Sequence, residues 1–249
     1  MGITSNRIQV FFRVISNEIY SKKFLDGLLT TVKIAVYGLI IGIIIGALIA
    51  VVKVAPKYKL GVRILDKICS VYVAIFRGTP MVVQLLLMYY ILFPMLGINR
   101  MDGINVNNVA AITVFGMNSG AYVSEIMRGG LNSVDYGQME AGRALGLGYG
   151  TTMIKIVIPQ AIKNILPTLG NEFITLIKET SVLSFIAVTD LYTVIEGVGK
   201  ITYAQSVAYI FMAFVYIALI LCVTLLIKIL EKILARSDRN KTKKSKKSA

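Results

Sequence analysis

The sequence predicts an all-α integral membrane protein with five membrane-crossing helices and two short helices in the loop between the third and fourth. Three observations predict it. Hydrophobic residues make up 56% of the 249-residue chain and charged ones only 16%, against roughly 25% charged in an ordinary soluble domain. Apolar stretches long enough to cross a bilayer recur along the chain. Positive charge gathers in alternate connecting segments and in the tail, as the positive-inside rule describes.

Taken in order, residues 1–23 mix Arg7, Arg13, Lys22 and Lys23 with Ile8, Val10, Phe11, Phe12 and Ile15. That mixture reads as an interfacial amphipathic segment. Residues 24–230 form the membrane domain. Its first span, 34–52, holds no charge; the second, 78–98, is interrupted only by Pro80, Gln84 and Pro94; the third is 104–124. Residues 165–188 carry Glu172, Lys178 and Glu179 yet are otherwise apolar, which suits a fourth span with buried polar groups. The last span is 201–227, and 231–249 is a basic tail. With the tail in the cytoplasm, segments 53–67 and 128–163 also lie there, and both are rich in Lys and Arg. The N-terminus then lies outside, where its own four basic residues dissent from the rule.

Several function classes fall away. Histidine is absent, and Cys69 and Cys222 both sit in apolar surroundings. The usual general base, a metal-ligand cluster and a disulfide framework are therefore missing from the sequence. The basic tail directly follows a membrane span, so it reads as a lipid-facing juxtamembrane segment and not as a nucleic-acid site.

The loop 131–160 contains "QMEAGRALGLGYGTTMIKIVIPQ". It lacks the lysine that closes a phosphate loop and the spacing of a dinucleotide fingerprint. Asp135 and Gln138 have capping-box spacing, so 136–145 is expected as a short helix ended by Gly146. Thr151 or Thr152 is expected to cap a second one that Pro159 stops. By spacing alone the pair either meets a partner's groove or packs on its own membrane domain.

Glu140-Ala141-Gly142, Gly146, Ile156, Ile158 and Pro159 match the spacing E-A-A-x3-G-x9-I-x-L-P. That pattern resembles the permease subunits of bacterial ATP-binding cassette importers. "FRGTPMVVQLLLMYY", "GAYVSEIMRGGLNSV" and "NEFITLIKETSVLSFIAV" look like the polar amino acid branch of that family. The departures are Gly142 for the second alanine and Ile158 for leucine; glycine weakens a helix by about 1 kcal/mol. The resemblance implies that the two short helices are coupling helices. Glu140, Ala141, Gly142, Gly146, Ile156 and Pro159 would meet a separate ATPase. It also implies a second permease subunit, an extracytoplasmic binding protein docking near 94–108 and 189–205, and residence in the bacterial cytoplasmic membrane. No cofactor is expected on this chain, with ATP and magnesium on the partner.

A dipolar substrate needs donors for its carboxylate and acceptors for its ammonium group. Lys178, Thr180 and Ser181 offer donors where an unwound turn at "ETS" would add backbone N–H groups. Alternatively, Lys178 pairs with an acid and the hydroxyls bond their own backbone. Asn118 and Tyr122 share a helix face, and Gln84 lies one turn beyond Pro80; these three are further path candidates. Glu125 and Arg128 suit a local ion pair. A self-sufficient transporter or channel, with the loop merely cytoplasmic, is the competing class.

Overall fold

The computed structural model describes the backbone of residues 2–55, 57–98 and 105–247, and the side chains of 6–55, 57–98 and 105–233. Every regular element among them is helical. In chain order these are α1 (Gly2–Ile15), α2 (Glu18–Val54), α3 (Leu60–Gly78), α4 (Met81–Met95), α5 (Val106–Asn132), α6 (Tyr136–Ala144), α7 (Tyr149–Ile186), α8 (Leu191–Ile201) and α9 (Gln205–Lys247). Residues 99–104, most of one expected outer loop, and the side chains of the tail beyond 233 lie outside the described residues.

The centre of the fold is α2 against α5. Gly38, Gly42 and Gly46, four residues apart, face Phe115, Ser119 and Val123; Gly116 and Gly120 return the fit against Ile41 and Ile45. A Cβ on Gly42 would sit 2.5 Å from Ser119 Oγ. Small residues let the two backbones approach closely, the usual basis of helix association in lipid. Around this seam Ile34, Leu85, Phe115, Leu176 and Leu183 form the main core. Phe11, Leu191, Ile195, Val198 and Ala208 form a second core, where α1 packs on α8 and α9.

The outward surface is apolar. Ile40, Ile44, Leu48 and Val51 on α2, and Phe214, Ile217, Leu221 and Leu225 on α9, are all at least half or nearly half exposed. Such surface suits hydrocarbon and not water. The α2 helix and Gln205–Ile233 of α9 are each long and apolar enough to cross a membrane. Two bent pairs, α3 with α4 (108°) and α7 with α8 (56°), raise that count to four if each is one span. The third expected span is α5, whose buried Asn118, Ser119 and Ser124 lower its hydropathy.

Two expectations are corrected. The second span, 78–98, is not entered from a loop: α3 precedes it, filling most of 53–67 and 68–78, and the chain turns sharply at Thr79–Pro80. Proline has no N–H to continue the ladder, so the turn falls there. The freed ends are repaired by a side chain, since Gln84 Nε2 donates to Phe76 O (2.8 Å), Thr79 O (3.0 Å) and Thr79 Oγ1 (2.9 Å). The segment 189–205, expected on the outer side, is likewise no plain loop. Asp190, whose carboxylate accepts from Thr193 N–H (2.9 Å), starts α8 there.

Candidate functional site

The loop 131–160 folds as two helices at the end of α5. Asp135 Oδ1 accepts from Gly137 N–H at 2.7 Å and starts α6. The capping box is incomplete: Gln138 Oε1 instead accepts from Gln160 Nε2 (3.3 Å), tying α6 to α7. Gly146 ends α6 with φ +80°. Its N–H donates to Arg143 O (2.9 Å) and that of Leu147 to Gly142 O (3.0 Å), the paired bonds of a Schellman motif.

Two expectations about the second helix are overturned. It begins at Tyr149 with Gly148 before it, so neither Thr151 nor Thr152 is the cap. Thr152 is buried one turn in, packed on α6: a Cβ on Gly142 would lie 2.5 Å from its methyl carbon. Nor does Pro159 stop the helix. Residues Met153–Val157 widen into a π turn, in which Ile158 N–H donates to Met153 O. The wider turn shifts the carbonyls that the proline ring would strike in a regular helix. α7 then runs on through Pro167 to Ile186. The same device precedes Pro94, where Met88–Leu92 is a π turn closed by Phe93 N–H to Met88 O.

The expected contact residues divide by exposure. Glu140, Ala141, Gly146 and Pro159 are exposed, Ile156 is half-buried and Gly142 is buried. Around them Tyr136, Leu145 and Ile154 are exposed apolar side chains, Leu145 to 81%. Behind this face a cleft of about 530 Å³ is lined by Val54, Leu131, Met139, Arg143, Tyr149 and Val157. The arrangement offers Glu140 on a low, partly apolar surface, held from behind by Gly142 on Thr152.

The path candidates fall into two groups. Gln84 and Asn118 are buried and bonded to each other, Asn118 Nδ2 to Gln84 Oε1 at 2.9 Å, and Asn118 also donates to Phe76 O (3.2 Å). Tyr122, one turn along α5, lies under the Arg77 guanidinium at 5.3 Å. Asn118 and Tyr122 thus do share a face, which α3 covers at Asn118 while Tyr122 stays exposed. The other group is at the far end of α7 from the loop. There the α-helix tightens to a 3-10 helix over Thr180–Ile186, so the turn at "ETS" is altered but not unwound. Thr180 Oγ1 donates to Ile177 O (2.9 Å) and Ser181 Oγ to Lys178 O (3.2 Å), while Lys178 is exposed. The hydroxyl protons therefore serve the backbone. Ser181 borders an open pocket with Ser184, Phe185, Tyr192, Glu196 and Lys200, the last two ion-paired at 2.9 Å.

Sequence reasoning missed other polar groups. Asp190 is wholly buried, and its Oδ2 has no hydrogen-bond partner among the described residues. Lys53 Nζ meets Glu125 Oε1 at 2.6 Å, while the expected Arg128 pairs with Oε2 at 2.7 Å. The Glu125–Arg128 pair was visible as helical spacing; Lys53, on another helix, had no local signal.

Residues 38–236 match the family described as "Binding-protein-dependent transport system inner membrane component". This chain belongs to that family. Members similar to it include the arginine transport system permease protein ArtQ of Bacillus subtilis, 37% identical over 86% of this chain and 93% of that one. A putative glutamine transport system permease protein GlnP of Rickettsia bellii is 39% identical over 83% of this chain and 90% of its own. The L-cystine transport system permease protein TcyB of B. subtilis is 35% identical over 92% and 89%. Among solved structures, a chain of an amino acid ABC transporter crystallised with histidines superposes with TM-score 0.76 at 36% identity, covering 88% of this chain and 97% of that one. A methionine ABC transporter chain, at TM-score 0.71 but 18% identity, shares the fold. The family is one of transport permeases, and the chain is a membrane transport component and not an enzyme.

Proposed function

We propose that this chain is the membrane-spanning permease subunit of an ATP-binding cassette importer, moving a polar amino acid across the bacterial cytoplasmic membrane. The observation that carries the reading is that relatives aligned over more than four-fifths of the chain are named as arginine, glutamine and cystine permeases. In this reading α2, α3 with α4, α5, α7 with α8, and α9 supply five spans, with the N-terminus outside and the C-terminus in the cytoplasm. The loop 131–160 faces the cytoplasm, and α6 with the start of α7 are the coupling helices. Glu140 and Ala141 meet the ATPase directly, and Gly142, Gly146, Ile156 and Pro159 set the shape of that contact. ATP and magnesium bind the ATPase, and no cofactor binds this chain. A second permease subunit completes the pathway, and an extracytoplasmic binding protein delivers the substrate. Membrane lipid surrounds the whole, and nucleic acid is no partner.

For the substrate, Lys178 at the start of the 3-10 segment is the favoured carboxylate contact among the path candidates, because it is an exposed cation beside the hydroxyls of Thr180 and Ser181 and, among the described residues, has no acid paired to it in the manner of Lys200 with Glu196. Thr180 and Ser181 position that turn. Gln84 and Asn118 brace the α3–α4 break, and Tyr122 lies one turn further along the same face of α5, exposed.

The test is uptake in proteoliposomes. Import is expected only when ATPase, binding protein and ATP are all present. Uptake by the purified chain alone would replace this reading with a self-sufficient transporter. Glu140→Lys is expected to abolish stimulation of ATP hydrolysis by binding protein while leaving membrane insertion normal; retained stimulation would remove Glu140 from the coupling contact.

A further inference from the structure

Where α7, α8 and α9 meet, two buried polar atoms have no hydrogen-bond partner among the described residues: Asp190 Oδ2 and the Tyr216 hydroxyl. Thr180, wholly buried like Asp190, lies beside that hydroxyl without bonding it. Tyr216 also feels the charge of Asp190. The three side chains therefore border one interior site, and its walls are fixed. Asp190 Oδ1 accepts from Thr193 N–H (2.9 Å) and from Thr193 Oγ1 (2.6 Å) as it caps α8. Leu191 N–H donates to Thr31 Oγ1 of α2 (3.2 Å), which holds the start of α8 from the other side. Asp190 cannot swing toward Tyr216 without giving up its cap.

The count of donors decides what fills the site. Thr180 Oγ1 already gives its proton to Ile177 O (2.9 Å), so toward the site it can only accept. An ionised Asp190 Oδ2 likewise only accepts. Burial opposes that charge, and the Thr193 donors with the N-terminal end of α8 offset the cost. Tyr216 has one hydrogen to give and cannot serve both acceptors. A water molecule donates two hydrogens and accepts one. We infer that this site binds a single buried water, which donates to Asp190 Oδ2 and Thr180 Oγ1 and accepts from Tyr216 O–H. Buried waters make about three such bonds. An apolar guest would strand both acceptors, and a hard metal cation takes roughly six or more oxygens. The water joins the 3-10 turn of α7 to the cap of α8 and to α9, three elements at one point. Nothing in this inference depends on the transport reading.

The test is a crystal structure of the purified full chain at a resolution that shows ordered water, with thermal unfolding and infrared spectra of the same protein. A density peak is expected about 2.8 Å from Asp190 Oδ2, Thr180 Oγ1 and Tyr216 Oη. Tyr216→Phe is expected to weaken the peak and lower the melting temperature by about 2–4 °C, the shift for one lost hydrogen bond. Tyr209→Phe, on the exposed side of α9, is expected to change neither. Thr180→Val removes a different partner and should weaken the peak as well, so the site stays testable if one variant does not fold. An undiminished peak in both variants, or a direct Tyr216–Asp190 bond with no peak, would overturn the site. Contacts of about 2.4 Å, with a melting temperature that responds to sodium but not to choline, would replace the water by a cation. A carboxylic-acid carbonyl band that vanishes in Asp190→Asn would replace it by a proton.

Discussion

Lys53 and Glu125 are 72 positions apart in the chain and 2.6 Å apart in space. Both side chains are mostly shielded, at 13% and 18% exposure, so the contact joins α2 to α5 under little screening. Lys53→Met is expected to lower the melting temperature by an amount worth about 1.5–3 kcal/mol, the range for a hydrogen bond to a charged group. Lys53→Arg should recover most of it; thermal unfolding in detergent measures both. Gln84 poses a sharper question, because it was expected on the substrate path and is found bonded to Phe76, Thr79 and Asn118. Gln84→Leu would strand those partners at about 1–3 kcal/mol each when buried. The expected outcome is a loss of thermal stability with the KM for substrate unchanged; a raised KM at unchanged stability would make it a substrate contact. Local pairs such as Glu125–Arg128 were legible because helical spacing brings them together. Gln84–Asn118 was not, since nothing local announces a side chain that mends another helix's end.

The α6–α7 contact shows how a departure from a pattern finds its reason in a neighbour. Read along the chain, Gly142 costs helix stability; read in space, it admits Thr152. Gly142→Ala is expected to destabilise that contact by about 1–3 kcal/mol through overpacking, despite the better propensity. Adding Thr152→Ala should relieve the clash and leave the double variant no less coupled than the parent, with stimulated ATPase activity as the measure. The helix 136–144 and its glycine stop were legible because capping and Schellman chemistry are local. The passage of α7 through Pro159 was hidden, since a proline ordinarily marks an end and the π turn that rescues it has no simple signature. Helix α3 was hidden differently. Lys67 and Arg63 made its first turns look like loop, although its apolar residues Ile64, Ile68, Val71 and Ile75 recur every three or four positions.

For the molecule as a whole, membrane residence and helical architecture were plain from composition, because only lipid tolerates so much exposed aliphatic surface. The number of crossings was harder, because α5 mixes polar groups into a buried face and two expected spans are bent pairs. The basic end is expected to be dispensable: deleting residues 237–249 should leave ATP-driven uptake in proteoliposomes at the parental rate, and a large loss would assign the tail a working role. One feature reaches from end to end. α7 passes without a break from the glycine-rich loop to the 3-10 turn near Ile186, a length on the order of 50 Å at 1.5 Å per residue. Each degree of tilt about its loop end sweeps the far end by about 1 Å, so a slight rotation at the Gly142–Thr152 contact becomes an ångström-scale displacement of the Thr180 turn.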